Sequence, residues 1–220
     1  LERNPVRLVD MPKIKDKSII QLDPDEVAQL LDYMEDLGKE LTGLKLAHYN
    51  KQKTRDMAII TLFLGTGIRV SELVGLNLDD VDFKNDGIRI SRKGGNEMIG
   101  YFGQEVENAL LDYLEQTRNQ TTALPGQEEA LFLSNRRQRI SVDAVEMLVK
   151  KYCSAVSLKH ITPHKLRSTY GTALYRETQD IYLVADVLGH SDVNTTKRHY
   201  AAIKDSHRRS VRNKVKLREP

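Results

Sequence analysis

The 220 residues, 40% hydrophobic and 30% charged, suit one large soluble domain and exclude disordered, collagen-like and fibrous chains. No window approaches about 18 uninterrupted apolar residues, and Leu1 to Lys17 lacks an apolar signal core, which excludes a membrane span and a secretion signal. The net charge of +3 is unevenly spread: residues 197 to 220 hold nine Lys/Arg against two acids, so this tail carries +7 and the preceding residues −4, an asymmetry expected of a surface that meets phosphate.

In chain order, Leu1 to Lys17 reads as an extended arm or linker, with Asn4-Pro5, Met11-Pro12 and no apolar period. Asp23-Pro24-Asp25-Glu26 supplies an N-cap, a first-turn proline and a capping-box glutamate. Val27, Leu30, Leu31, Met34 and Leu37 then predict a helix ending near Gly38. Beyond a polar stretch around Leu44 to Lys51, the residues Met57, Ile60, Thr61 and Leu64 predict a buried helix stopped by Gly65 and Gly67. A short helix is expected from Val70 to Leu76. Between Val81 and Tyr101 the period changes to two, with turn signals at Asn85-Asp86-Gly87 and Gly94-Gly95-Asn96, which predicts a small antiparallel meander of three strands.

Helical spacing returns at Val106, Leu110 and Leu114; a loop with Pro125-Gly126 and an extended Leu131-Phe132-Leu133 follow. Ser141 caps a helix carrying Val145, Leu148, Val149, Tyr152 and Val156. This helix also holds the single cysteine, Cys153, which excludes an intramolecular disulfide and a multi-cysteine zinc site and suits a reducing cytoplasm. Thr162-Pro163 places a cap and a first-turn proline before Leu166, Tyr170 and Leu174. A further helix runs from Ile181 to Gly189, and Asn194 opens an amphipathic segment holding Tyr200. The fold class is mainly α with one small antiparallel sheet.

Four places combine reactive or basic side chains with backbone punctuation: Thr66 to Leu73 with Arg69, the turn Arg92-Lys93-Gly94-Gly95-Asn96, His164-Lys165-Leu166-Arg167, and Leu188-Gly189-His190 with Tyr200 ten residues on. Each has an ordinary reading. Arg69 can pair with Glu72 or Asp79, His164 and Arg167 can be a capping imidazole and a surface arginine, and His190 can cap carbonyls. Lys93 suits any basic turn, and Tyr200 suits an apolar helix face.

Taken in order over residues 66 to 200, T-G-I-R-V-S-E-L, H-K-L-R, L-G-H-S-D and T-T-K-R-H-Y resemble the catalytic boxes of tyrosine recombinases, the phage-integrase family, and in wording the integrases of conjugative transposons and other mobile elements. The resemblance covers about Ser18 to Asp205. It implies the DNA breaking-rejoining fold, a linker over 1–17, a catalytic domain over 18–205 and a basic tail over 206–220 exchanged between protomers. It implies that Arg69 and Arg167 grip the scissile phosphate, that His164 and His190 complete the cradle, that Tyr200 is the nucleophile and that Lys93 is the general acid, with Arg92 or Arg89 as alternative occupants of that last role. Glu72 is expected to orient Arg69.

The physical chemistry agrees with these roles. Arginine forks bind two phosphate oxygens and stabilise a pentavalent phosphorus. Tyrosine, with an intrinsic pKa of about 10, attacks only where cations favour phenolate, and lysine at about 10.4 matches a leaving 5′-hydroxyl. The implied product is a covalent 3′-phosphotyrosyl link made without metal or cofactor. The implied partners are double-stranded DNA and, in the synaptic complex, three further copies of the chain; the implied location is the bacterial cytoplasm at the nucleoid. The sequence departs from the family pattern at Ser168 and Ala201-Ala202. It opens in what resembles an interdomain linker, which implies a catalytic domain without its core-binding partner.

Three other readings compete. Asp79-Asp80-x-Asp82 is the local carboxylate cluster a metal nuclease would need, but it sits in an acidic turn. His160 and His164 have metal-like spacing that Thr162-Pro163 breaks. A non-catalytic DNA-binding protein would need basic surface without the Arg/His/Tyr set, and a type IB topoisomerase would share the chemistry without pairing two sites.

Overall fold

A computed structural model describes residues 20–92 and 97–190, together with 193 and 196. Among them are seven α-helices and one three-stranded sheet.

Helix α1, Pro24–Asp36, begins as its sequence requires: the Asp23 carboxylate accepts from the Glu26 N–H at 3.0 Å and Glu26 returns the bond to the Asp23 N–H at 2.9 Å. Lys159 and Ser157 also bind Glu26, tying this N-terminus to the loop before α6. Helix α2, Gly43–Thr66, is longer than the hydrophobic pattern indicated and takes in the polar stretch from Leu44 to Lys51. The reason is local: no Gly or Pro interrupts residues 44 to 64, and only one face of that half meets the protein. There Tyr49 is buried and its hydroxyl donates to the Met34 carbonyl of α1 at 2.6 Å.

The second half of α2 is the axis of the core. Ala58, Ile59, Ile60, Leu62 and Phe63 are fully buried in a helix that packs against α4, α6 and α5. The chain leaves it through Gly67 at φ +63°, where a side chain would run into Tyr170 and Leu188, and re-enters helix as α3, Val70–Gly75.

The expected meander follows as β1 (Val81–Asp82), β2 (Gly87–Ser91) and β3 (Glu97–Tyr101), antiparallel in the order β1-β2-β3, with Ile88 opposite Gly100 and Ile90 opposite Met98. Ile88 and Ile90 face the core and Arg89 and Ser91 face out, so the period-two reading set the register's inward face. Asp80 accepts from Arg89 at 3.0 Å and from the Asn77 N–H, and Asp82 accepts from Asn85. The acidic turn is thus occupied by its own caps and by Arg89. Among the described residues no group of three or more His, Cys, Asp and Glu comes together.

Helix α4, Gln104–Tyr113, packs on α2 and runs into a wider π turn at Leu114–Arg118. Leu131, Phe132 and Leu133 are buried and held by isolated bridges rather than a named strand. Helix α5, Val142–Val156, is capped by Ser141 Oγ on the Ala144 N–H. Its Tyr152 donates to Asp56 at 3.0 Å, and Asp56 is paired to Arg55 at 2.7 Å, so a buried carboxylate on α2 is satisfied from two elements. Cys153 is buried, and burial pushes its thiol up to about 12. It is therefore expected to be inert to a disulfide thiol reagent at neutral pH in the folded chain and to react fully once the chain is unfolded. Equal rates in both states would contradict this packing.

Helix α6, Pro163–Thr178, starts at Thr162 as read, although the Thr162 hydroxyl makes no capping bond; its carbonyl takes the Lys165 and Leu166 N–H groups instead. Helix α7, Ile181–Leu188, ends at Gly189 with φ +60°. Asp180 caps its N-terminus, and the His190 N–H closes its C-terminus on the Ala185 carbonyl at 2.9 Å. Among the described residues no helix is long and apolar enough to cross a membrane.

Candidate DNA-cleavage site

Three chain corners meet at the C-terminal end of α7. The first is the α2–α3 corner, where Gly67 turns the chain and Arg69 stands as N-cap of α3. The second is the first turn of α6, and the third is Leu188-Gly189-His190 itself. The arginines are held by main-chain carbonyls. Arg167, 5% exposed, donates to the carbonyls of Gly67 and Leu188. Arg69 donates to the Gly189 carbonyl at 2.9 Å and to the Leu188 carbonyl at 3.4 Å. Both guanidinium groups thus reach the same carbonyl, Leu188 O, although they stem from positions 98 residues apart. The end of α7 presents partial negative charge, which helps two like charges to sit together without a carboxylate for each.

The carboxylate of Glu72 reaches the group. Glu72 accepts from the Arg69 N–H at 2.9 Å and from its guanidinium at 2.7 Å, so the residue expected to orient Arg69 grips it at both backbone and side chain. The ordinary reading of Arg69 as a partner of Glu72 is also true here; the bond positions the arginine and leaves another part of its fork on α7.

Arg92, just after the end of β2, supplies a third guanidinium. It packs on Gly189 in the space a side chain there would occupy, and its Nε lies 3.6 Å from Glu72. Among the described residues that buried Nε has no hydrogen-bond partner. Burial pulls the Arg92 pKa below the ordinary arginine value; Glu72 opposes this, and the neighbouring charge of Arg69 adds to it. Among the described residues Arg69, Arg92 and Arg167 outnumber Glu72 and Asp186 here, which leaves a site with excess positive charge, suited to an anion with several oxygens. Arg89, the other alternative for the hairpin cation, points away to Asp80.

The remaining expected residues divide. His190 stands beside the arginines, and its Nδ1 lies 2.7 Å from the Thr196 hydroxyl. His164 shares the start of α6 with Arg167, three residues before it; Arg167 is buried and His164 is exposed. Lys93 and Tyr200 lie outside the described residues. Sequence reasoning named Arg92 only as a substitute for Lys93; the signal for it was the same Gly-rich turn, and the seat of Arg92 against Gly189 is a tertiary contact.

A cavity of about 300 Å³ opens at this group, lined by Gly67, Glu72, Arg92, Arg167, Tyr170 and Leu183 among others. A larger cleft of about 700 Å³, between Arg55, Arg139 and Lys151, contains none of these site residues. Of its three arginines, Arg55 is paired to Asp56 and Arg139 binds the carbonyls of Val74 and Leu76, while Arg136 is exposed.

Comparison with known proteins shows the family and the fold. Residues 21–207 match the phage integrase family. Tyrosine recombinase XerC of Caldanaerobacter subterraneus subsp. tengcongensis is 37% identical over 220 residues, covering 99% of this chain and 57% of that protein. Tyrosine recombinase XerS of Streptococcus agalactiae is 35% identical over 191 residues, covering 85% of this chain and 53% of that protein. The chain thus spans little more than half the length of these curated relatives. Among solved structures, XerA recombinase superimposes with a TM-score of 0.72 at 26% identity, over 88% of this chain and 66% of that one. The Tn1549 transposon integrase, solved in complex with circular intermediate DNA, gives 0.66 at 25% identity, over 96% and 70%.

Proposed function

Since the chain belongs to the phage integrase family, we propose that it is the catalytic part of a site-specific tyrosine recombinase, which cleaves and rejoins DNA strands through a covalent 3′-phosphotyrosyl intermediate. The observation that carries this reading is the meeting of Arg69, Arg167 and His190 at one helix end, where with Arg92 the guanidinium groups outnumber Glu72 and Asp186 among the described residues.

In this reading Arg69 and Arg167 bind the non-bridging oxygens of the scissile phosphate, and His164 and His190 complete the cradle. The Tyr200 phenolate attacks phosphorus, the bond to the 5′-oxygen breaks, and that oxygen takes a proton from Lys93. One phosphodiester is exchanged for one phosphotyrosyl ester, so the energy of the link is kept and attack by another 5′-hydroxyl reseals a new junction. Arg92 fits beside Lys93 as a further cation toward the phosphate. Residues 1–17 act as linker and 18–205 as the catalytic domain. The tail 206–220 is exchanged between protomers of a synaptic tetramer on double-stranded DNA. The protein works in the bacterial cytoplasm on the nucleoid, and moving a mobile element is the role that its integrase-like motif wording favours.

The direct test is trapping. A pool of nicked duplexes with a randomised central sequence loses a short oligonucleotide after cleavage, so an active chain accumulates an adduct that survives denaturing electrophoresis. Binding to the same pool without any adduct would leave a DNA-binding protein and sink the enzyme. Affinity for the pool is also expected to fall steeply with salt, by about 0.9 in log K per log unit of salt for each phosphate neutralised. A slope near zero would remove DNA as the partner.

A further inference from the structure

Thr196 is completely buried, and its hydroxyl lies 2.7 Å from His190 Nδ1. A hydroxyl cut off from water needs a partner inside the protein, and this one uses a site imidazole six residues earlier. Packing alone does not demand a hydroxyl here, because valine has nearly the same shape. The contact also joins two parts of the proposed chemistry. His190 ends α7 at the carbonyl cluster that holds Arg69 and Arg167, and Thr196 lies four residues before Tyr200 in sequence.

We propose that Thr196 is a positioning residue for strand cleavage: by holding Nδ1 it fixes the imidazole plane and so sets the direction in which Nε2 meets the phosphate. An imidazole rotates about two side-chain bonds, and the corner at Gly189 fixes only its backbone. Bonding one ring nitrogen sets the direction of the other, because the two are rigidly related. Among the described residues the charged groups around this helix end include Arg69, Arg92, Arg167, Glu72 and Asp186. Against that charged surround, the neutral hydroxyl of Thr196 is the group that holds Nδ1.

This inference rests on the recombinase reading, and the experiment separates the two. In the 220-residue chain, Thr196→Val, Thr196→Ser, His190→Ala and the His190→Ala/Thr196→Val double variant are compared for the rate of adduct formation on the nicked-duplex pool. Thr196→Val is expected to slow the adduct about tenfold, the loss of one hydrogen bond's worth of alignment, and Thr196→Ser to stay near wild type. In the His190→Ala background the valine should make no further difference, since the two residues act through one contact. An equal loss from valine in both backgrounds, or no rescue by serine, overturns the proposal as mere packing.

Ring-nitrogen spectra of chain labelled with ¹⁵N-histidine give a second readout that needs no DNA. The His190 Nδ1 signal should move in Thr196→Val and hold in Thr196→Ser; an unmoved signal in the valine variant also overturns it. If the signal moves as expected but the wild-type chain forms no adduct, the recombinase reading falls and takes the positioning role with it, leaving only the contact.

Discussion

A Tyr200→Phe chain is expected to form no adduct at all, while melting within about 2 °C of the wild type. The substitution removes one oxygen and little volume, so its effect on stability should stay within about 0.5 kcal/mol, but it removes the atom that would bond phosphorus. The informative comparison is with Tyr170, which packs over Gly67 and lines the cavity at Arg167. Burial raises the Tyr170 phenol above its ordinary value, so it remains protonated and a poor nucleophile despite its nearness to the arginines. Tyr175 is buried against α7, and Tyr182 is exposed on the first turn of that helix. Peptide mapping of the wild-type adduct should therefore place DNA on Tyr200. DNA mapped to Tyr170, or an adduct from the Phe variant, would end the assignment.

Replacing Arg69 by lysine should reduce adduct formation about a hundredfold or more with little change in melting temperature. The charge is kept, but the planar fork that touches Glu72 and the end of α7 together is lost, and with it the paired donors for a phosphorane. The Arg69 side chain is 37% exposed, so the fold should tolerate the exchange. Arg167→Lys makes the contrasting case. Its fork is buried, bridging the Gly67 and Leu188 carbonyls, and a single ammonium on a flexible stem cannot reproduce that bridge. That variant should lose the adduct to a similar degree and also about 1–3 kcal/mol of stability, the usual result of leaving buried carbonyls unpaired. Chemical denaturation and adduct assays on both variants give the two numbers. An Arg69→Lys chain within twofold of wild type would show that Arg69 does not bind the reacting phosphate.

Much of this molecule is legible in its amino-acid sequence because the signals are local. Asp23-Pro24-x-Glu26 and Ser141 start helices where they should, since a cap needs only the next three residues. The alternation Ile88-Arg89-Ile90 names the buried face of β2 for the same reason. The polar half of α2 is not legible, because a helix that touches the protein along one narrow face has no strong apolar period; the bond from Tyr49 to the Met34 carbonyl holds it in place.

The candidate residues Arg69, His164, Arg167 and His190 are readable as an ordered set through their family resemblance, yet one residue at a time each has an ordinary explanation. The sequence by itself determined which residue types were available and which backbone corners would carry them: Gly67 before Arg69, a first-turn proline before Arg167, Gly189 before His190. Only the tertiary structure decided how they share partners. It brought two guanidinium groups to the Leu188 carbonyl, gave both carboxylate oxygens of Glu72 to Arg69, seated Arg92 on Gly189, left His164 exposed and bonded Thr196 to His190. The reason is physical: caps and periods are settled within about a helical turn, whereas a buried charge or hydroxyl is satisfied by whatever polar group the packing of distant segments brings within about 3 Å.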